Sequence, residues 1–307
     1  MTGSLIVLGA TGAIGSAVVA AAAATARPVI AIARDADALA ALRERHASAD
    51  IVTLPASVAS DGDAAALALQ LRELDRPIAG AIAAISGDCG RGRLLDQPAE
   101  LLRRRLDEDL LPHLFAARHL LPLLAEHGHG GYVLIGGPGA EQPWAGYGHR
   151  SIGAAALRML ARVLHDEARV FPVRVQLLAV DSPARTDANA RHACNAWPSA
   201  GSIARRALAM LEQRDPRQTA QAVVSYAAHP LGFDLWSDDI DREVQPVAGT
   251  SKQATPPTPA ASTASTPSQE TERSTALLPA RCLQDARTLL RSLGAPNPNP
   301  NQETSPR

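Results

Sequence analysis

The sequence predicts an α/β protein: one doubly wound parallel sheet with helices on both faces, followed by a flexible C-terminal tail. Two observations carry that prediction. From Leu5 to Val180 short apolar runs alternate with longer helical segments, the cadence of parallel strands joined by crossover helices. From Val247 to Thr275 the composition turns to Ala, Thr, Ser and Pro, which cannot bury enough surface to order itself.

The elements follow in order. Leu5–Leu8 is a short apolar run that ends in glycines and reads as a buried parallel strand. The Ala-rich stretch Ala13–Ala26 is a strong helix former. Pro28–Ala33 is a second strand and Asp35–Ala47 a second helix; Asp50–Leu54 is a third strand and Gly62–Leu74 a third helix. A strand over Gly80–Ile85 leads to a long helix over Ala99–Glu126, which Pro112 and Pro122 bend or end. Gly131–Ile135 is a strand, Ser151–Ala168 a helix and Val173–Val180 a strand. The folded domain is expected over residues 1–243, with a disordered linker over 244–275. In 276–294, Leu278, Cys282, Ala286, Leu289, Leu290 and Leu293 recur at helical spacing between Pro279 and Gly294, so a short amphipathic helix is expected. Residues 295–307 read as a disordered tail.

Composition narrows the function classes. With 46% hydrophobic and 20% charged residues the chain is a foldable globular sequence. A formal net charge of -1 gives no electrostatic reason to expect nucleic acid or an anionic membrane as partner. Cys89, Cys194 and Cys282 share no short ligand spacing and cannot form a complete disulfide set, so thiols and no metal are expected. No basic segment marks a signal peptide before the first strand, and the apolar run Ala17–Ala26 is too short to span a bilayer. The cytoplasm is the expected location.

The chemistry begins at Gly9-Ala10-Thr11-Gly12-Ala13-Ile14-Gly15, between the first strand and its helix. Glycines are needed there because the chain turns tightly, the backbone approaches a pyrophosphate, and the helix packs close to the strand. The helix N-terminus then offers N–H groups and partial positive charge to the phosphates. In this context the loop reads as a Rossmann-type dinucleotide-binding unit, with Gly9, Thr11, Gly12, Ile14 and Gly15 as cofactor residues. An acidic residue at the end of the second strand usually marks NAD; here Arg34 holds that place, and a guanidinium pairs with a 2′-phosphate. NADP is therefore expected, with NAD left open because Asp35 follows and can reach the ribose.

The order of further parts resembles the short-chain dehydrogenase/reductase family. Ala84-Ile85-Ser86-Gly87 follows the fourth strand, Leu106-Asp107-Glu108-Asp109-Leu110 lies in the long helix, and Tyr132–Gly137 precedes Tyr147-Gly148-His149-Arg150-Ser151. The resemblance covers about residues 4 to 190. It implies carbonyl reduction or alcohol oxidation with NAD(P), a proton passed by Tyr147, and a cofactor contact at Gly87. It also implies a lysine, a serine and an asparagine that this chain lacks. Ser151 stands at the lysine position, Gly137 (or Gly136) at the serine position and Asp109 at the asparagine position. The resemblance is thus to a divergent member with an incomplete catalytic tetrad.

Two substitutes stand out. Ser86 lies at the C-terminal end of the fourth strand, where parallel sheets bind ligands, and His149 can exchange a proton near neutral pH. Both also have structural readings, as a turn cap and a helix-start residue. Arg150 is next to the lysine position, but neighbouring residues point about 100° apart on a helix, so it is not expected to replace that lysine. The function expected is an NADP-dependent oxidoreductase of a small carbonyl or alcohol, working as a homo-oligomer. The alternative is an inactive nucleotide-binding protein that serves as a partner subunit or sensor.

Overall fold

The computed structural model describes residues 3–87, 90–128, 130–213 and 221–226, all within one compact unit. The linker, helix and tail expected beyond residue 243 lie outside the described residues. Seven strands form one sheet: β1 Ser4–Leu8, β2 Val29–Ala33, β3 Ile51–Pro55, β4 Ile78–Ala83, β5 Gly130–Gly136, β6 Val173–Val180 and β7 Val223–Tyr226. Their order is β3-β2-β1-β4-β5-β6-β7, and every pairing is parallel. The order reverses between β1 and β4, so the crevice outside the C-terminal ends of those two strands is where a ligand belongs.

Strand alternation sends side chains to two separate cores. Ile6, Leu8, Ile30, Ile32, Tyr132 and Leu134 face one side, beneath α3 (Asp61–Glu73), α5 (Leu111–Glu126) and α6 (Gly148–Glu167). Leu5, Val7, Val29, Ala31, Ile82 and Val133 face the other, beneath α1 (Ala13–Ala24), α2 (Ala36–Arg45) and α7 (Ala200–Glu212). Helices cover both faces, which is why the strands read as continuous apolar runs rather than as alternating ones.

Between β4 and β5 the long predicted helix is two: α4 Ala99–Asp109 and α5, with Leu110 between them at φ -111°. Pro112 makes the break, because at the start of a new helix its missing N–H costs nothing. Pro122 lies inside α5 without ending it. α6 begins three residues before the predicted Ser151, and α7 and β7 were not among the predicted elements. No helix among the described residues is long and apolar enough to cross a membrane.

Candidate active site

The glycine loop sits at the topological switch. Gly9 has φ +72°, and a Cβ there would lie 2.3 Å from the Ala84 carbonyl oxygen, so only glycine lets β1 turn against β4. Gly15 is held by contact alone: a Cβ there would lie 2.0 Å from Gly9 O, which is how closely α1 packs on the strand end. Gly12 is the N-cap of α1 and is exposed, and no side chain caps the helix. The first-turn N–H groups therefore face the crevice, ready for an anion.

Two recesses open from this point. The first, about 520 Å³, runs from Gly9, Thr11 and Gly12 to Arg34, and Ser86 and Gly87 line its wall. Asp35, the alternative ribose partner, is engaged as the N-cap of α2, where its Oδ1 accepts from the N–H groups of Asp37 and Ala38 at 3.0 Å each. Ala56, Ser57, Val58 and Ala59, just after β3, also line this recess, with Asp107 and Glu108 from α4. None of these is among the expected cofactor residues, although the end of every parallel strand on this side borders the crevice.

The second recess, about 360 Å³, shares Gly12, Ala84, Ile85 and Ser86 with the first and continues past Ile14 to Gly137, Trp144, Tyr147 and Arg150. Tyr147 is the N-cap of α6, and its ring stacks on Trp144 with centroids 4.2 Å apart. Ser86 is exposed on the crest between the recesses, so it and Tyr147 line one space.

His149 and Arg150 are placed differently from expectation. His149 is 2% exposed and lines neither recess; both ring nitrogens are buried without a hydrogen-bond partner among the described residues. Burial, with Arg105 and Arg150 nearby, holds its pKa below the ordinary histidine value, against the opposing pull of Asp109. Its ring is turned into protein because the next residue, Arg150, is the one that reaches the recess. Arg150 lies three positions from Tyr147, and i,i+3 residues share a helix face. The 100° offset keeps Arg150 out of the lysine's direction, yet the recess lies on the Tyr147–Arg150 side of α6.

Ser151, at the lysine position, is 7% exposed and serves the preceding loop. Its Oγ accepts the Trp144 N–H at 2.9 Å and donates to the Tyr147 carbonyl at 3.3 Å. Together with the ion pair between Arg158 and Glu141, this fastens the loop from Gly137 to Tyr147 onto α6. Ser151 is buried and packs on Gly139 so closely that a Cβ on that glycine would lie 2.7 Å from Ser151 Oγ, so a longer side chain at 151 must displace the loop. A Cβ on Gly137, by contrast, meets nothing within 4 Å. Ser151→Lys is therefore expected to destabilise the fold by about 1–3 kcal/mol through overpacking and the lost hydrogen bond. Gly137→Ser should leave the unfolding midpoint in urea near that of the wild type, and the two curves check both statements.

The β4 end that lines both recesses is held from behind. Asp109, half-buried rather than solvated, accepts the Gly87 N–H. His113, fully buried, has Nε2 3.2 Å from the Ile85 carbonyl, a bond that requires the proton on Nε2. Burial pushes the His113 pKa down to about 4, although the bond to Ile85 works in the other direction. An unfolded histidine takes up its proton near pH 6.5, so between pH 6.5 and 4 only the unfolded state is protonated. This contribution is complete above pH 6.5 and is lost as pH falls toward 4, by at most about 1.4 kcal/mol per pH unit. His113→Gln should flatten that slope when urea unfolding is followed at pH 7, 5.5 and 4.5.

Comparison with known proteins agrees with this geometry. The family model described as short chain dehydrogenase matches residues 4–197. Among solved structures, a short-chain type dehydrogenase/reductase from Mycobacterium ulcerans superposes with a TM-score of 0.64 at 19% identity, covering 72% of this chain and 86% of that one. A short-chain dehydrogenase from Streptomyces avermitilis gives 0.61 at 21% identity, covering 74% and 89%. The structure of ElxO with NADP bound gives 0.65 at 12% identity, covering 73% and 97%. At such identities the likeness speaks to the fold. No curated protein matches the chain.

Proposed function

We propose, because this chain belongs to the short-chain dehydrogenase family, that it is an NADP-dependent oxidoreductase of a small carbonyl or alcohol, with a modified site around Tyr147. One observation supports this above the rest: the two recesses join over the glycine loop, with a cation at the far end of one and a phenol in the other. A bound nicotinamide dinucleotide would supply or accept a hydride, one proton with two electrons, at the carbonyl carbon.

The chain's own residues do the rest. Gly9, Thr11, Gly12 and Ile14 and the uncapped N-terminus of α1 would hold the pyrophosphate, with Gly15 keeping the helix close. Arg34 would pair with a 2′-phosphate, and Gly87, in the wall of the same recess, would border the cofactor. Tyr147 gives its proton to the substrate oxygen, and the Ser86 hydroxyl donates to the same oxygen. His149, turned into protein, has no part in this scheme. The chain works in the cytoplasm as a homo-oligomer; exposed Ile152, Met159 and Val163 form one face of α6 that a second copy would cover.

NADPH should bind about 10- to 100-fold more tightly than NADH, as expected for a charge-assisted contact to the 2′-phosphate. Arg34→Ala should remove most of that difference in a calorimetric titration; equal affinities in the wild type would sink the assignment. One observation favours the second reading, a nucleotide-binding subunit without turnover: the lysine position is spent on the loop. NADPH binding with no absorbance loss against a panel of carbonyls would select that reading.

A further inference from the structure

Trp144 reaches the tyrosine through a tight turn. Trp144-Ala145-Gly146-Tyr147 is a β-turn closed by the Tyr147 N–H on the Trp144 carbonyl oxygen at 2.9 Å. Of its two central residues only Gly146 has a positive φ, +77°, which is the type II geometry and the reason glycine stands there. The turn brings its first and last side chains together: the two rings stack with centroids 4.2 Å apart and planes 27° from parallel. Both residues line the second recess.

The backbone of this turn is held on two sides. The Trp144 N–H donates to Ser151 Oγ on α6 at 2.9 Å, and the Gly92 N–H, from the loop after β4, donates to the Gly146 carbonyl at 2.8 Å. Gly92 also pairs with Tyr147 as an isolated parallel bridge. None of these bonds reaches the Tyr147 ring, and a fixed backbone still leaves a tyrosine its staggered χ1 alternatives. The stack on Trp144 does reach the ring. An aromatic pair is strong enough to favour one rotamer by about 2- to 10-fold.

We infer that Trp144 is the positioning residue of Tyr147: its indole holds the phenol in the recess, in the rotamer from which the hydroxyl meets a substrate oxygen. Ser151 belongs to the same device one step back, because its Oγ fixes the backbone that carries the indole. The side chain at the lysine position thus acts on the tyrosine through Trp144. This rests on the oxidoreductase reading above and adds to it how the proton donor is kept in line. The indole itself exchanges no proton and no electron.

The test uses the full chain with NADPH and whichever carbonyl of the panel is turned over fastest. Trp144→Ala should lower kcat about 10-fold and change the NADPH dissociation constant less than about twofold, and Trp144→Phe should recover most of kcat. Ser151→Ala should lower kcat about 3-fold alone and no further once Trp144 is alanine, since the two residues act in one chain. Circular dichroism confirms that each variant is folded. Four results would overturn the proposal: kcat of Trp144→Ala near wild type, no rescue by Trp144→Phe, single losses that multiply in the double variant, or a loss of NADPH affinity as large as that of kcat. If no carbonyl is turned over, the oxidoreductase reading fails, and fluorine resonances of the fluorotyrosine-labelled chain decide the positioning by themselves. The chain has three tyrosines, Tyr132, Tyr147 and Tyr226, and Tyr147→Phe identifies the resonance of interest. Fluorine relaxation that shows the Tyr147 ring more mobile in Trp144→Ala, and restrained again in Trp144→Phe, upholds the inference; mobility unchanged by Trp144→Ala, or not restored by Trp144→Phe, overturns it.

Discussion

Gly12→Val should reduce NADPH affinity by at least about 100-fold while the fold stays intact, because valine stands where a pyrophosphate must approach the backbone. The structure explains why the two effects separate. Gly12 is exposed, its φ of -72° and ψ of 166° suit any L-residue, and a Cβ there meets only Gly9 O, at 3.3 Å. Replacing a glycine N-cap costs the helix about 1 kcal/mol or less. Gly15→Ala would be a poor substitute for this experiment, since its Cβ would collide with backbone and confuse a lost ligand with a lost fold. Circular dichroism and a calorimetric titration with NADPH test the pair of statements. A folded variant that still binds would make the loop a packing device.

How much of this was legible in the sequence depends on whether the cause is local. The glycine loop was, because its glycines answer to steric demands that follow from a strand, a turn and a helix in succession. The parallel sheet was too, since strands buried on both faces leave continuous apolar runs such as Leu5–Leu8 and Val173–Val180. The break at Leu110 was half legible: two prolines marked the helix, and only their position relative to a helix start decides which one interrupts it. α7 was missed although Ser199 caps it, accepting the Ser202 N–H at 3.0 Å, and Ile203, Ala207, Met210 and Leu211 make its buried face. β7 has four residues, too few for any period to show.

The facing of the Tyr147 helix was not legible. Whether position 150 or 151 meets the recess is fixed by where α6 starts and by what lies against it. A hydrogen bond from the Trp144 N–H to Ser151 Oγ turns position 151 toward the loop, a contact no propensity encodes. The same reasoning applies to His149, whose burial comes from α4 packing on α6, far off in sequence. A histidine beside a catalytic tyrosine reads as chemistry until a tertiary contact assigns it a place.

Tyr147→Phe should lower kcat by about 10²–10⁴, the usual worth of a positioned proton donor, and change NADPH affinity less than about twofold. The substitution removes one oxygen and little else. The ring stays available for stacking on Trp144, and the local backbone bonds, Tyr147 N–H to Trp144 O at 2.9 Å and Ser151 N–H to Tyr147 O at 3.0 Å, do not involve the hydroxyl. A fall in kcat with an unchanged dissociation constant for NADPH therefore isolates the proton step from the architecture of the loop. Ser86→Ala is the control for the neighbouring donor, with an expected loss of about 10²–10³ if it stabilises the developing oxyanion. Because both hydroxyls act on one oxygen, the double variant should lose less than the product of the two single losses. Turnover that survives Tyr147→Phe at the wild-type rate would move the proton donor elsewhere in the recess, with Ser86 the next hydroxyl on the same wall.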